Sequence, residues 1–384
     1  MRNRPIRVLF VGHSYVYPLS QQKLYALSLT GKTDVAALVP ANWYEPNWGW
    51  TTKPVAAFEN FRLYLVPVVF NGRVGAFVYE PLGVGRALAS FRPDLVQVEA
   101  EAYSLAALQL AIIAKLYRKK VVLFSWENID RAFSAPRRLS RRLALALTDG
   151  AVCGNRENEK LLRRWGFKGK TVVMPQFGVD MEMFNPRLRA ARNGNRFFTV
   201  GFVGRLVPEK GVDILLRAVA QLVNRGLAVR VLACGAGSTE PLQALARELG
   251  IAERIQWMDA ILPPEVPQQM SQVDALVLPS RTMPRWKEQF GHVLIEAMAM
   301  AIPVVGSSSG EIPQVIGRED LIFTEGSFNE LAEILAKLIA DPGWRQEVGH
   351  WLRDRVNDEF SHAEIARRLL EFYDKLETND ALPG

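Results

Sequence analysis

The chain has 384 residues, of which 49% are hydrophobic and 23% are charged. This length exceeds what one compact core usually organises, so we expect two domains of ordinary globular composition. Its two cysteines, Cys153 and Cys234, lie far apart in apolar segments, which argues against a disulfide framework or a zinc site and favours a reducing compartment. No apolar run approaches the roughly 18 residues of a membrane-spanning helix. We therefore expect a cytoplasmic protein with, at most, a peripheral contact on the inner face of the membrane.

The net charge of +7 is unevenly distributed. Residues 1–195 contain 28 Lys and Arg against 14 Asp and Glu, whereas the remainder contains 19 against 26. A basic half can attract an anionic membrane, a nucleic acid or an anionic acceptor, and a solvated surface without a partner explains it equally well. No zinc finger, RNP-type aromatic pattern or helix-turn-helix signal supports nucleic acid. The basic segments Arg137–Arg142 and Arg118–Lys120 are compatible with a peripheral membrane contact.

Apolar strand-like segments alternate with helical ones along the chain. The predicted strands are residues 7–12, 35–39, 63–69, 95–98, 120–125 and 150–153 in the first half, and 197–204, 228–233, 255–258, 275–279 and 303–306 in the second. The clearest helices are predicted at 104–116, 211–223, 240–249, 293–299 and 329–339. This alternation predicts an α/β protein with two Rossmann-like domains, in which helices cover both faces of parallel sheets and an interdomain cleft binds the ligand.

The alternation pauses once, over residues 181–196, a polar and basic segment that contains Pro186 and Gly194. Such a segment is typical of an interdomain linker. The predicted organisation is therefore an N-terminal domain over 1–180, the linker over 181–196, a C-terminal domain over 197–360, and a helix with a frayed tail over 361–384. We expect that last helix to pack back on the N-terminal domain.

A cationic loop follows the first strand of the second half. Gly204 ends the strand where a ligand could approach the backbone, and Arg205 and Lys210 lie on the loop before the next helix. One forked cation and one compact cation suit a pyrophosphate. The loop is neither a G-x-x-x-x-G-K-[ST] nor a G-x-G-x-x-G motif, and a solvated surface loop is the alternative interpretation.

A second element carries two glutamates, Glu288 and Glu296, around a predicted helix start near Gly291. The free amides of residues 291–293 would form an anion site at the positive end of the helix dipole. A carboxylate beside that site can accept hydrogen bonds from sugar hydroxyls, and one further along can accept from a ribose. Alternatively, Glu288 caps the helix and Glu296 pairs with nearby lysines. The presence of both elements in one domain favours the ligand-binding interpretation.

These segments resemble glycosyltransferase family 4, retaining enzymes of GT-B fold. The matching pieces are FVGRLVPEKG (202–211), EQFGHVLIE (288–296), SSGEIPQVIG (308–317) and, before the linker, PQFGVDMEMFNP (175–186). The resemblance implies a hexosyltransferase that moves a sugar from a UDP- or GDP-sugar to a glycan, a lipid-linked saccharide or a small glycoside, as in polysaccharide biosynthesis. It implies that 1–180 binds the acceptor and that 197–360 binds the donor. Because no Asp-x-Asp motif is present, we expect metal independence, and no cofactor beyond the nucleotide-sugar co-substrate.

The resemblance also implies roles for individual residues. Arg205, Lys210 and Glu288 would be catalytic, with the two cations on the diphosphate and the glutamate on the transferred sugar. The remaining donor contacts would be Gly204, Met258, Ile261, Phe290, Gly291, His292, Val293 and Glu296. Gly310 and Glu311 would lie near the donor.

Three positions depart from the family's pattern. The loop after the first strand, which begins at Gly12 and His13, lacks a glycine pair, and the stretch around Glu127 and Asn128 lacks a histidine. These four residues are our candidates for the acceptor side of the cleft. Ala301 stands where a glycine is usual.

The alternatives that share a two-domain cleft are a sugar-nucleotide epimerase, a phosphorylase with pyridoxal phosphate, and a non-catalytic binding protein.

Overall fold

The computed structural model describes residues 4–45, 50–189 and 197–377. The chain divides into two compact units, one formed by 1–178 with 362–384 and the other by 179–361. Part of the segment predicted as a linker, 190–196, and the end of the tail, 378–384, lie outside the described residues.

The first unit is built on a parallel sheet. Its strands are β1 (Ile6–Val11), β2 (Thr33–Pro40), β3 (Trp43–Glu45), β4 (Trp50–Thr52), β5 (Arg62–Val66), β6 (Val68–Val69), β7 (Val78–Tyr79), β8 (Leu95–Glu99), β9 (Lys120–Ser125), β10 (Gly150–Cys153) and β11 (Lys170–Val173). Seven of them form the sheet in the order β11-β10-β9-β8-β1-β2-β5, while β3–β4 and β6–β7 are small antiparallel hairpins. The central strands are buried along nearly their whole length, as parallel strands covered on both faces are.

Helices alternate with these strands. They are α1 (Gln22–Leu29), α2 (Pro81–Phe91), α3 (Leu105–Leu116), α4 (Ala135–Ala146) and α5 (Arg156–Arg164). Local chemistry sets several starts: the Ser104 side chain accepts from the Ala107 amide, and Asn155 accepts from the Asn158 amide. The terminal helix, His362–Glu377, belongs to this unit, and its Tyr373 hydroxyl donates to Gln97 in β8 at 2.5 Å.

The second unit has a six-stranded parallel sheet. Its strands are β12 (Phe198–Val203), β13 (Val229–Cys234), β14 (Ile255–Met258), β15 (Ala275–Leu278), β16 (Val304–Ser307) and β17 (Ile322–Phe323), in the order β14-β13-β12-β15-β16-β17. Its helices are α6 (Val212–Asn224), α7 (Glu240–Glu248), α8 (Val266–Met270), α9 (His292–Ala299), α10 (Ile312–Ile316), α11 (Phe328–Ala340) and α12 (Pro342–Glu359). The two units confirm the predicted architecture of two Rossmann-like domains.

Each sheet has one point where the strand order reverses. In the first, the chain moves outward from β1 to β2 and β5, then returns to β8 on the other side of β1; in the second, β12 has β13 on one side and β15 on the other. Ligands of open α/β sheets bind outside the carboxyl ends of the strands at such reversal points. The topology therefore directs attention to the loops after β1 and β8 and to those after β12 and β15.

The strand predicted over residues 63–69 proved wrong, because it is two strands in different sheets. Pro67 lies between them and has no amide to donate to a ladder. Within the described residues, no helix has the length and apolarity needed to cross a membrane.

Candidate functional site

Lys210 is fixed at the carboxyl edge of the second sheet, in the loop between β12 and α6. Its flanking backbone is held by β15 and the loop after it: the Arg281 amide donates to the Glu209 carbonyl at 2.9 Å, and a Cβ on Gly211 would lie 2.0 Å from the Pro279 carbonyl oxygen. Gly211 has φ 66, so a side chain there would meet both strain and a clash. The loop after β12 is thus locked against the segment that carries the first glutamate.

Glu288 forms an ion pair with the Lys210 ammonium. Lys210 Nζ lies 2.6 Å from Glu288 Oε2, and the Ser280 hydroxyl donates to the same oxygen at 2.8 Å. The two charged side chains are 15% and 9% exposed, so the pair is shielded from water and stronger than a surface ion pair. The structure therefore brings together these two residues, which the sequence analysis named as catalytic.

Trp286 has no role in the sequence analysis, yet it completes this cluster. Lys210 Nζ lies 4.8 Å from the centroid of the Trp286 ring, within cation–π range. Trp286 is held by a tight turn in which its amide donates to the Met283 carbonyl and its carbonyl accepts from the Met283 amide. Ser280 was also overlooked, although its place two residues after the carboxyl end of β15 was a signal for it.

Arg205 behaves differently from Lys210. Its side chain is 55% exposed and its guanidinium is 3.6 Å from Glu209, four residues ahead. Its backbone is nevertheless fixed: a Cβ on Gly235 would lie 1.8 Å from the Gly204 carbonyl oxygen, and Leu206 forms a bridge with Gly237. The glycines after β13 therefore allow the two loops to run side by side, while the Arg205 side chain stays in solvent.

The helix α9 begins where it was predicted. Gly291 has φ 83 as its N-cap, and the Leu294 amide already donates to the Gly291 carbonyl at 2.9 Å. Glu296 lies one turn in, and burial raises its pKa to about 7. Burial lowers the pKa of His292 to about 4, so that this ring is neutral at pH 7. Phe290 packs against His292 at a centroid distance of 5.0 Å.

The loop after β16 lies against the first glutamate. Gly310 has φ 56, and a Cβ on it would come within 2.0 Å of the Glu288 carbonyl oxygen, which accepts from the Glu311 amide at 3.3 Å. At the other side of the sheet, Met258 ends β14, and its carbonyl accepts from the Gly235 amide at 3.1 Å. Ile261 follows in the loop after β14. The predicted donor residues thus lie at the carboxyl ends of four strands of one sheet.

The candidates in the first unit lie at the reversal point of its sheet. Gly12 follows β1, and a Cβ on it would lie 3.2 Å from the Cβ of Glu99. The His13 ring lies tilted against Trp43, with the ring centroids 4.7 Å apart, and packs edge-to-face with Phe77 at 5.8 Å. Burial lowers the pKa of His13 to about 4, and within the described residues its buried Nδ1 has no hydrogen-bond partner.

Glu127 is engaged within the protein. It is 2% exposed, accepts from Arg131 at 2.8 Å and from the Tyr103 hydroxyl at 3.2 Å. Beside it, Glu101 accepts from the Ser125 hydroxyl at 2.6 Å, and burial raises the pKa of Glu101. Asn128 is half-buried on the same loop. These contacts give Glu127 a structural function whatever else it does.

A buried ion pair at the same reversal point escaped the sequence analysis. Lys23 in α1 and Glu99 at the end of β8 are 1% and 0% exposed, with Nζ 2.5 Å from Oε1. The Gln176 amide donates to the other Glu99 oxygen at 2.7 Å and to the Ser14 hydroxyl at 3.1 Å. The network ties α1, β8 and the loop before residue 178 to the turn after β1.

The sequence of the second unit matches a known family. The family model described as "Glycosyl transferases group 1" matches residues 198–341, which contain both the cationic loop and the two-glutamate element. The second unit is a group 1 glycosyl transferase domain. This match agrees with the resemblance to glycosyltransferase family 4 and places Lys210 and Glu288 within the glycosyl transferase domain.

Curated relatives extend the similarity beyond the domain. The D-inositol 3-phosphate glycosyltransferase of Nocardia farcinica (strain IFM 10152) is 32% identical over 264 residues, which cover 62% of this chain and 56% of the relative. The capsular polysaccharide biosynthesis glycosyltransferase CapM of Staphylococcus aureus is 28% identical over 228 residues, or 58% of this chain and 57% of CapM. The chain spans about half the length of the curated relatives it matches.

Solved structures share the fold of the whole chain. A glycosyltransferase from Rickettsia africae ESF-5 has a TM-score of 0.73 at 15% identity and covers 99% of this chain and 100% of its own. HepE from Anabaena, in complex with UDP, has a TM-score of 0.71 at 18% identity and covers 96% of this chain and 100% of its own. Both confirm the predicted GT-B fold.

Proposed function

We propose that this chain is a retaining glycosyltransferase that moves a hexose from a UDP- or GDP-sugar to a glycan, lipid-linked saccharide or small glycoside. The observation that carries the proposal is the Lys210–Glu288 pair, shielded from water at the reversal point of a group 1 glycosyl transferase domain. A nucleotide donor is supported by HepE, a protein of the same fold that was solved with UDP and with UDP-glucose.

In this proposal the bond between the anomeric carbon and the diphosphate oxygen breaks, and its electron pair stays on the diphosphate. Lys210 and the amides at the start of α9 stabilise the negative charge that grows there, and Arg205 turns inward from solvent to join them. The acceptor hydroxyl forms the new bond on the same face of the sugar, and its proton leaves with the diphosphate. Positive charge supplied by the protein makes a divalent metal unnecessary, so chelation should leave the rate unchanged.

The glutamates take different parts. When the donor binds, the Lys210 ammonium moves from Glu288 to the diphosphate, and Glu288 accepts hydrogen bonds from the sugar hydroxyls instead. The Ser280 hydroxyl continues to donate to the Glu288 carboxylate. Among the described residues, Glu296 makes neither an ion pair nor a hydrogen bond. Its carboxyl group is therefore available to accept from the two hydroxyls of a ribose. Gly204, Met258, Ile261, Phe290, Gly291, His292 and Val293 complete the donor site.

The acceptor is assigned to the first unit. His13 offers a neutral ring at pH 7 with an unused Nδ1, which can hydrogen-bond an acceptor hydroxyl. Gly12, which precedes His13, and Asn128 are the other proposed contacts of the acceptor. Two matched relatives are named for a phosphorylated inositol and for capsular polysaccharide, so both acceptor classes belong in a first screen.

Binding of nucleoside diphosphates tests the donor site before any acceptor is known. UDP or GDP should raise the melting temperature by mass action, since it binds the folded state alone. The shift should be lost in Lys210→Ala and kept in Lys337→Ala, a control lysine that also lies over a tryptophan in the same unit, 3.8 Å from the Trp344 ring. Equal shifts in both variants would place the nucleotide elsewhere and contradict the proposal.

A further inference from the structure

A basic and apolar face on α4 has no part in the proposed chemistry. Two pairs of side chains, each separated by about one helical turn, are exposed: Arg138 with Arg142, and Leu139 with Leu143. The two leucines are 57% and 45% exposed. The opposite face is buried through Ala144 and Leu145. The twelve residues of α4 include neither Asp nor Glu. Asp130 lies close enough to act on Arg141, but its carboxylate is paired with Arg164 at 3.2 Å.

The loop of the β6–β7 hairpin reaches the start of α4, and the first residue of this loop has a strained backbone. Phe70 has φ 56, a conformation that bulky side chains rarely adopt, and is 58% exposed, as is Val69. The loop reaches α4 at Gly75, where a built Cβ would lie 3.3 Å from Nη1 of Arg137. Strain of this kind persists where the surrounding structure imposes it and is a reason to look for function. Phe70 is thus held in an exposed position in the hairpin whose Gly75 lies against Arg137.

We propose that the outward face of α4 and the exposed Val69–Phe70 segment of the β6–β7 hairpin dock this chain on an anionic phospholipid surface. Leucine, valine and phenylalanine side chains would enter the boundary between headgroups and acyl chains, while Arg138 and Arg142 would extend to the phosphates. The occupant is identified by charge complementarity, because a helix face with exposed leucines, arginines and no acid of its own attracts an anionic apolar interface. The inference does not depend on the transferase activity, since binding is measured without donor or acceptor.

The test is cosedimentation of the full chain with vesicles of phosphatidylcholine, with and without phosphatidylglycerol, at low and high salt. Binding should require phosphatidylglycerol and fall with salt. Both Arg138→Glu/Arg142→Glu and Leu139→Ser/Leu143→Ser should bind at least about tenfold less. The control pair Leu29→Ser/Lys32→Glu alters an exposed leucine and an exposed lysine of the same unit and should bind like the wild type. Unchanged melting temperatures establish that the variants fold.

Insertion can be measured separately at one position. The two native cysteines, Cys153 and Cys234, are buried, so a thiol introduced by Leu139→Cys can be labelled selectively with an environment-sensitive fluorophore. Anionic vesicles should shift its emission to the blue, and the same label at Leu29→Cys should not respond. The proposal is overturned if the face variants bind vesicles like the wild type, if the label at position 139 does not respond, or if the face instead mediates self-association without vesicle binding.

Discussion

Replacement of Lys210 by alanine is the perturbation for which the structure gives the clearest magnitude. The ammonium is 15% exposed and lies 2.6 Å from Glu288 Oε2, so its charge acts through an environment less polar than bulk water. At a separation of about 4 Å and an effective dielectric constant of about 20, one unit of charge is worth about 4 kcal/mol. Only the charge that develops on the leaving diphosphate counts toward the rate.

A loss of about 10²–10³ in kcat should follow, or about 2.7–4 kcal/mol, the range observed when one donor of an oxyanion site is removed. We expect the upper end of this range because Lys210→Ala removes the cation that neutralises Glu288. The Glu288 carboxylate would then repel the negatively charged diphosphate beside it. Lys210→Met retains the aliphatic stem against Trp286 and should be as slow, which separates charge from packing.

The assay is release of nucleoside diphosphate from the nucleotide sugar under saturating donor, with melting temperatures measured in parallel. Lys337→Ala, the control on α11, should retain the wild-type rate. A folded Lys210→Ala protein whose kcat stays within about threefold of wild type would refute the electrostatic role assigned to this lysine.

Three further outcomes follow from the structure. Because burial raises the pKa of Glu296 to about 7, and the ionised carboxylate is the better acceptor for ribose, nucleoside diphosphate binding measured by calorimetry should weaken as pH falls through about 7. Glu296→Gln should lose that dependence and retain only the nucleotide's own titration near pH 6; an unchanged profile would exclude this residue. Gly310→Ala should lower unfolding free energy by about 1–3 kcal/mol in urea and slow turnover, since φ is 56 and the new Cβ meets a carbonyl oxygen of the site at 2.0 Å. Gly326→Ala, at φ 82 with open space around it, should retain full activity. If it also loses activity, backbone strain alone explains the effects of both glycine substitutions. Lys23→Met should lower the free energy of unfolding in urea by about 3–5 kcal/mol, because Glu99 stays buried without its cation. The double variant Lys23→Met/Glu99→Leu should regain much of that stability. If the effects of the two substitutions simply add, the pair is not coupled.

The sheets were predictable from the sequence because parallel strands buried on both faces leave near-continuous apolar runs. Where burial is partial the signal fades: β11 is an edge strand whose four residues are all half-buried, and no strand was predicted there. Helix α12 begins with Pro342-Gly343, a pair that favours a turn in isolation. Proline nevertheless suits the first turn of a helix, and the Asp341 side chain caps this one by accepting from the Trp344 amide at 2.9 Å.

The candidate site was predictable to the extent that it depends on strand ends. Lys210 and Glu288 are separated by 78 positions, yet each follows a strand of one parallel sheet, and the carboxyl ends of such strands share an edge. Side-chain orientation carries no such signal. Arg205, grouped with Lys210 in the sequence analysis, has a side chain that is 55% exposed and lies beside Glu209.

The buried network of the first unit could not have been predicted. Lys23 and Glu99 are separated by 76 positions, and a lone lysine at a helical position is almost always solvated. Backbone strain was equally hidden. Ala301 has φ 53, which gives a physical reason for the glycine that the resemblance led us to expect there, since only glycine adopts that conformation without cost.

The central claim is that the second unit holds a nucleotide sugar between Lys210 and Glu288 and breaks its anomeric bond. The most direct measurement is mass spectrometry of a panel of UDP- and GDP-sugars incubated with the wild type, Lys210→Ala and Lys337→Ala. We expect at least one donor to yield free sugar and nucleoside diphosphate with the wild type and the control, and far less with Lys210→Ala. A panel that stays intact with the wild type, or that is cleaved equally by all three proteins, would contradict the claim.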